Sequence, residues 1–302
     1  NSLCWTLTNP MSTLGMLIND LQRFFASASK IVELYYACST IVTRQDAVKK
    51  EGRVQGAVKF DHVTLKRNGT EVLHDINLDI KPGETIAVMG PTGCGKTSLI
   101  SLIPRFSDVS GGTVSVDGTP VGMYDLKKLR GSVGIATQDV FLFSGTIRSN
   151  IVLREEGIPD SEIMEVCRYV NADKFINKLD HGLDEEVRER GNNFSAGQRQ
   201  LLSFARTIIH KPSVMILDEA TANIDTETEL LIQDSLEKMR TVGTMLIVAH
   251  RLSTIQHADN IIVLSHGKIL EQGTHQQLLA RHGRYYQLYT LQYHKAQLNA
   301  AE

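Results

Sequence analysis

The fold is decided by the stretch Thr85-Ile86-Ala87-Val88-Met89-Gly90-Pro91-Thr92-Gly93-Cys94-Gly95-Lys96-Thr97-Ser98. A short apolar run enters a glycine-rich turn, and a helical pattern follows, which is the order of a strand, a loop and a helix. Similar apolar runs occur at 133–137, 214–217, 245–249 and 261–264, separated by longer amphipathic segments. The sequence therefore predicts an α/β fold with a parallel sheet and crossover helices.

The turn matches the phosphate-binding pattern G-x-x-x-x-G-K-[ST] in the strand–helix context that the pattern requires. Its glycines let backbone N–H groups turn inward around phosphate oxygens, and the helix directs its positive end at them. We expect Lys96 to reach the β- and γ-phosphates and Thr97 to offer a hydroxyl to Mg²⁺. The predicted nucleotide-binding residues of this segment are Gly90, Pro91, Thr92, Gly93, Cys94, Gly95, Lys96, Thr97 and Ser98.

Two carboxylates, Asp218 and Glu219, follow the apolar run Val214–Leu217. Open α/β sheets bind ligands at the carboxyl ends of their strands. We expect Asp218 to hold Mg²⁺ through water and Glu219 to activate the attacking water. An acidic pair that only caps a helix is the alternative, and the preceding phosphate loop favours the nucleotide interpretation.

A small antiparallel β layer is predicted before the phosphate loop. Residues 58–65 alternate between apolar and polar positions, Asn68-Gly69 is a hairpin signal, and residues 72–80 alternate again. These two strands precede the predicted parallel sheet.

The N-terminal segment predicts one long helix over residues 1–45, kinked at Pro10. Residues 1–19 carry no charge, and an amphipathic soluble helix is the alternative to a membrane segment. Residues 46–56 are expected to form a linker, and the basic excess between Arg44 and Arg53 suits the cytoplasmic side of a membrane.

Composition excludes several classes of protein. The 302 residues contain 32 Lys and Arg against 34 Asp and Glu, a net charge of −2, which argues against an electrostatic nucleic-acid binder. The 42% hydrophobic content is that of a globular protein. Four cysteines without C-x-x-C spacing are too few for a disulfide scaffold.

Asn193-Phe194-Ser195-Ala196-Gly197-Gln198 resembles the L-S-G-G-Q signature of ATP-binding-cassette (ABC) ATPases, in the family's order ahead of Asp218. We expect Ser195 to be the N-cap of a helix. Three further segments resemble family motifs: Gln138 the Q-loop glutamine, Ala220–Asp225 the D-loop, and His250 the switch histidine.

The resemblance implies an ABC cassette over 57–302, with a RecA-like parallel-sheet core, an antiparallel β subdomain and a helical subdomain at about 139–210. It implies that Glu219, His250 and Gln138 are catalytic and that Thr97, Gln138 and Asp218 hold Mg²⁺. It also implies that ATP is contacted by Ser195, Gly197, Gln198 and Asp225. In this family the signature closes over a nucleotide held by a second cassette, so a partner subunit is expected.

Three segments resemble exporters within the family. Gln138–Ile151 is similar to the exporter Q-loop segment, Glu186–Gly191 to the X-loop, and the opening segment to the end of the last membrane helix. This implies that residues 1–45 end that helix, in a half-transporter of the plasma membrane whose cassette is cytoplasmic. Export of a drug, lipid or peptide-like substrate is expected, with membrane lipid as a further partner and no nucleic-acid partner. The alternatives are a non-transport ABC ATPase, working on chromosomes, DNA breaks or ribosomes, and an importer cassette.

Two positions depart from the family pattern. Arg67 occupies the place of the aromatic residue that stacks on adenine, and a guanidinium plane can also stack on a base. Ala196 replaces the usual glycine of the signature. Ala196 beside intact Glu219 and His250 favours one subunit of an unequal pair, with a homodimer as the alternative.

Overall fold

The computed structural model describes residues 2–48, 52–137, 139–153, 155, 157–218, 226–248 and 255–299, with the backbone alone for residues 2–8, Thr226 and 292–299. The chain separates into two compact units, Asn1–Val42 and Thr43–Glu302.

The first unit contains helix α1 (Ser2–Tyr35), which includes Pro10. The expectation of a helix through residue 45 is wrong at its C-terminal end. Polar and β-branched residues follow Tyr35, and the hydroxyl of Ser39 donates to the carbonyl of Ile41 at 2.9 Å, a local bond that competes with helical pairing. No helix in the described part of the chain combines the length and apolar character needed to cross a bilayer.

The second unit is built from short strands and helices. In chain order, the strands are β1 (Val58–Arg67), β2 (Thr70–Ile80), β3 (Thr85–Met89), β4 (Gly111–Val116), β5 (Thr119–Pro120), β6 (Val133–Ala136), β7 (Gly145–Thr146), β8 (Glu186–Val187), β9 (Val214–Asp218), β10 (Thr244–Val248), β11 (Asn260–Ser265) and β12 (Lys268–Gly273). The α-helices are α2 (Lys96–Ser101), α3 (Leu126–Ser132), α4 (Ile147–Val152), α5 (Asp160–Tyr169), α6 (Asp173–Ile176), α7 (Ala196–Ile209), α8 (Thr226–Met239), α9 (His275–Ala280) and α10 (Arg284–Asn299). Single 3₁₀ turns lie at Val121–Met123, Gly182–Asp184 and Glu189–Gly191.

The central sheet has the strand order β12-β11-β3-β10-β9-β6. Strands β11, β3, β10, β9 and β6 are parallel, and β12 pairs antiparallel with β11 at one edge. The parallel sheet predicted from the apolar runs is confirmed. Residues of β3 and β10 are buried on both faces, as expected for strands covered by two layers.

Each face of the central sheet has its own apolar core. On one face, Ala87 and Leu217 pack with buried residues of α4, α5 and α7. On the other face, Val88 and Ile216 pack with buried residues of β1, β2, α2 and α3. Successive side chains of each strand point to opposite faces of the sheet. The central sheet therefore packs on one helical layer with one face and on the β layer with the other.

The antiparallel layer has the order β2-β1-β4-β5. Arg67 pairs with Thr70 across the turn between β1 and β2. Asn68 and Gly69 have φ angles of 49° and 79°, the left-handed pair that a tight hairpin requires. The predicted β layer and its Asn-Gly turn are confirmed.

Candidate nucleotide-binding site

The loop between β3 and α2 can be built only with glycine at two of its positions. A Cβ atom at Gly90 would lie 2.2 Å from the carbonyl oxygen of Leu264, and one at Gly95 would lie 2.9 Å from Cδ2 of Leu73 at a φ of +105°. Gly93 has a φ of +80° and nothing within 4 Å of its Cβ position. The loop is therefore tight against the protein at its ends and open in its middle.

Lys96 is a buried cation at the end of this loop, with an exposed fraction of 8%. Its Nζ atom donates to the carbonyl of Gly90 at 2.8 Å and to that of Pro91 at 3.0 Å. Among the described residues, no carboxylate pairs with it. An ammonium group has three donors, so one N–H remains for an anion. A buried cation without a counterion is a site prepared for a negatively charged ligand.

Residues far away in the sequence support the loop. The amide of Gly267, in the turn between β11 and β12, donates to the carbonyl of Cys94 at 3.1 Å. At Gly95 the carbonyl of Val72 restricts a side chain, since a Cβ atom there would lie 3.2 Å from it. The sequence pattern did not predict the Gly267 contact, although a glycine between the apolar runs 261–264 and 269–270 could have signalled a tight turn.

Asp218 lies at the same edge of the sheet as the phosphate loop. Strand β10 lies between β3 and β9, and its Val248 pairs with both Val88 and Asp218. Carboxyl ends of these parallel strands therefore meet at one edge. Asp218 also lines a small pocket with Thr137, at the end of β6, and Gln200 of α7. Four predicted site residues lie outside the described part of the chain: Gln138, Glu219, Asp225 and His250.

Ser195 is the N-cap of α7, as predicted. Its hydroxyl accepts from the amide of Gln198 at 3.2 Å, and the side chain of Gln198 accepts from the amide of Ser195 at 2.9 Å. This capping box leaves the proton of the Ser195 hydroxyl free to donate. Ser195 is exposed and Gly197 is buried. In the described residues, no hydrogen bond joins this cap to the phosphate loop of the same chain.

Arg67 is exposed at the end of β1. Within the described ranges, its side chain makes no hydrogen bond or ion pair. Its neighbour Lys66 pairs instead with Glu71 at 3.2 Å. Arg67 lies at the hairpin tip, and its contact with the base stays a prediction.

The residues of this edge fit a nucleotide with a divalent cation. The open middle of the loop and the uncompensated Lys96 suit a polyphosphate. Mg²⁺ prefers oxygen ligands. Two side chains here can supply them: the hydroxyl of Thr97, which is exposed in the first turn of α2, and the carboxylate of Asp218. The arrangement is suited to binding a nucleotide through its phosphates.

The family model described as ABC transporter matches residues 73–222, from β2 through the phosphate loop and signature to the segment after β9. This chain belongs to the ABC transporter family. The match includes the phosphate loop, the signature and Asp218, and an ABC transporter domain implies ATP binding.

Relatives of this ABC transporter chain include proteins named as a flippase and as a multidrug resistance transporter. It is 40% identical over 287 residues to the "ATP-dependent lipid A-core flippase" of Syntrophus aciditrophicus, covering 95% of this chain and 48% of the relative. It is 42% identical over 287 residues to the "Probable multidrug resistance ABC transporter ATP-binding/permease protein YheH" of Bacillus subtilis, covering 95% and 42%. The chain thus spans about half the length of the curated relatives it matches.

A solved structure is similar to this ABC transporter chain over most of its length. It is described as the structure of a bacterial Atm1-family ABC exporter with ATP bound. The TM-score is 0.81 at 32% identity, and the match covers 95% of this chain and 50% of the other.

Proposed function

We propose that this chain is the ATP-hydrolysing cassette of a membrane exporter. The observation that carries the proposal is the buried ammonium of Lys96, held by two loop carbonyls without a carboxylate partner among the described residues, at the sheet edge where Asp218 ends β9. A triphosphate supplies the negative charge that this arrangement lacks.

The phosphate loop binds the nucleotide through hydrogen bonds that its N–H groups donate to the phosphate oxygens. The third N–H of Lys96 donates to a phosphate oxygen, and the backbone N–H groups around Gly93 surround the others. Thr97, Gln138 and Asp218 would hold Mg²⁺, which draws charge from the phosphate oxygens when bound. Glu219 follows Asp218 directly in the sequence and would take the proton of the attacking water, with His250 and Gln138 as the other catalytic residues.

A second cassette completes the site. The free hydroxyl proton of Ser195 and the amides at the start of α7 form an exposed anion-binding end, directed to a nucleotide on the partner. Gly197, Gln198 and Asp225 belong to the same contact. Ala196 is the first residue of α7, so its methyl group lies where this end approaches phosphate. We propose that the chain works in an unequal pair, in which its own signature closes over the slower site.

The remaining assignments follow the exporter proposal. Residues 1–45 would form the end of the last transmembrane helix and its cytoplasmic extension. Residues 46–56 would form a linker, and residues 57–302 would form the cassette, with its helical subdomain at about 139–210. The full protein would lie in the plasma membrane with the cassette on the cytoplasmic side. A drug, lipid or peptide-like molecule would be the substrate, and the flippase name of one relative supports a lipid.

Two substitutions test the catalytic proposal. Glu219→Gln removes the proton acceptor but keeps the size of the side chain, so ATP turnover should fall about 10²–10⁴-fold with ATP binding retained. Lys96→Ala should lose ATP binding, whereas Lys59→Ala, on the exposed side of β1, should change neither. Turnover by Glu219→Gln at the parental rate would refute the role of Glu219.

Purification of the tagged full-length subunit from its native host tests the unequal pair. A different ABC subunit should co-purify, and the pair should hydrolyse its two ATP molecules at different rates. Recovery of identical chains alone, with both ATP molecules hydrolysed at one rate, would refute the unequal pair.

A further inference from the structure

The side chain of Asn193 fastens the loop before the signature helix to strand β8. Its Nδ2 atom donates to the carbonyl of Glu186 at 2.8 Å, and its Oδ1 atom accepts from the amide of Arg188 at 3.1 Å. An extended strand presents the carbonyl of one residue and the amide of the second residue after it at the same edge. Arg188 is extended, with a φ of −77° and a ψ of 172°. One side chain therefore pairs with this edge of β8 as a neighbouring strand would.

Strand β8 is itself fixed to the helical layer. It pairs antiparallel with β7, where Thr146 lies opposite Glu186. Thr146 is also the N-cap of α4, through a capping box of its own. Val187 of β8 is buried in the apolar cluster of the helical layer. The two hydrogen bonds of Asn193 therefore end on an anchored ribbon and not on a free loop.

Only Phe194 separates Asn193 from Ser195, and Phe194 is held on two sides. Its ring is buried, and the ring centroid lies 6.1 Å from that of Phe175. Its carbonyl accepts from Nη1 of Arg199, in α7, at 2.7 Å. Side chains locked by packing and supporting hydrogen bonds keep a functional group in place. The position of Asn193 therefore determines where the Ser195 cap begins.

We propose that Asn193 is a positioning residue, whose two bonds to β8 fix where the Ser195 hydroxyl meets a nucleotide on the partner cassette. The inference rests on the proposed function, in which Ser195 donates to a phosphate that the partner holds. A hydrogen bond weakens steeply once its distance or angle leaves the preferred range. A donor for a reacting phosphate must therefore be held in place before the reaction. Asn193 contacts β8 and not the nucleotide, so it acts through Ser195.

Steady-state ATP turnover by the purified full-length protein in its native assembly tests this inference. Asn193→Ala should lower kcat by about tenfold, within the range that misplacing a group by about 1 Å can cost. KM for ATP should stay unchanged, because the phosphate loops that capture ATP are not altered. Asn193→Asp should lose activity as well, since a carboxylate accepts from the Arg188 amide but cannot donate to the Glu186 carbonyl. Asn192 is the matched control, because it is exposed and its side chain makes no hydrogen bond within the described residues. Asn192→Ala and Asn192→Asp should both keep the parental turnover.

A double variant separates positioning from general damage. If Asn193 acts through Ser195, the two losses overlap, and Asn193→Ala combined with Ser195→Ala should turn over ATP at about the rate of Ser195→Ala alone. Losses that multiply would overturn the inference and leave the ATPase standing, as would parental turnover in Asn193→Ala or an equal loss in Asn192→Ala. Absence of ATP turnover in the unsubstituted assembly would overturn the proposed function and this inference together.

Discussion

Arg206 of α7 binds Asn150 of α4 through two separate groups. Nε of Arg206 donates to the Asn150 carbonyl at 2.8 Å, and Nη2 donates to Asn150 Oδ1 at 3.0 Å. A third donor reaches the carbonyl of Phe141 at 2.9 Å. Asn150 is 1% exposed, and its amide donates to the carbonyl of Phe143 at 2.8 Å. One side chain thus joins the helix that begins at the signature to the segment that follows the Q-loop position.

Arg206→Lys should lower the free energy of unfolding by about 2 kcal/mol, since one ammonium cannot reach three oxygens in this geometry. Burial already lowers the pKa of the Arg206 guanidinium, and no carboxylate in the described residues pairs with it. Arg188→Lys, at an exposed pair 3.8 Å from Glu186, is the matched control and should change stability little. If urea unfolding shows that Arg206→Lys and Arg188→Lys lose the same free energy of unfolding, the structural role of Arg206 is contradicted.

Gly93→Ala should weaken nucleotide binding beyond its cost in stability. Gly93 and Gly118 have φ angles of +80° and +77°, and neither Cβ position has an atom within 4 Å. Alanine at either position should therefore cost a similar 1–2 kcal/mol or so of backbone strain. Only the methyl at Gly93 enters the space proposed for phosphate, so ATP affinity should fall by about tenfold or more there. Parallel titrations and thermal unfolding of both variants decide this.

Ser195→Ala should separate capping from catalysis. Ser195 caps α7 and Thr274 caps α9, each through a capping box with a glutamine three residues later. Loss of either hydroxyl should cost about 1 kcal/mol of stability. ATP turnover by the assembled pair should fall with Ser195→Ala and stay unchanged with Thr274→Ala. Identical turnover in the two variants would remove Ser195 from the partner's site.

His275 should make stability depend on pH. Its Nδ1 lies 2.6 Å from the hydroxyl of Tyr285, whose pKa burial raises, so Tyr285 donates to neutral His275. Burial, and second the charge of His257, lower the pKa of His275 below 6.5. The unfolded chain therefore takes up a proton first, and stability should fall as pH drops from 6.5 toward the lowered pKa.

The variant His275→Asn should reduce this pH dependence in thermal unfolding scans. His181→Asn, at an exposed position, is the control and should leave it intact. A pH profile that is the same in both variants would place the acid-sensitive group elsewhere.

Local signals in the sequence were enough to predict the central sheet and the phosphate loop. Strand β3 is apolar because both of its faces are covered, and the loop glycines mark backbone that other residues cannot adopt. The N-cap at Ser195 could also be predicted from local sequence, because a cap interacts with the first turn of its own helix.

Contacts between distant segments had no such signal. Arg206 and Asn150 are polar residues inside helices, and nothing local indicates that they bind each other. The hydrogen bond from Gly267 to the loop also depends on the register between strands. The end of α1 at Tyr35 was missed because residues 36–45 contain neither Pro nor Gly, the usual helix-ending residues.

The bond between Gly267 and Cys94 also bears on the order in which the protein is made. Strand β3 lies between β10 and β11, and both of these neighbours follow it in the sequence by a long interval. During synthesis at about 5–20 residues per second, the phosphate loop emerges from the ribosome on the order of ten seconds before Gly267 can hold it. A nascent chain therefore carries the whole nucleotide motif before it has a structured nucleotide site, and ATP can stabilise the cassette only at the end of its folding.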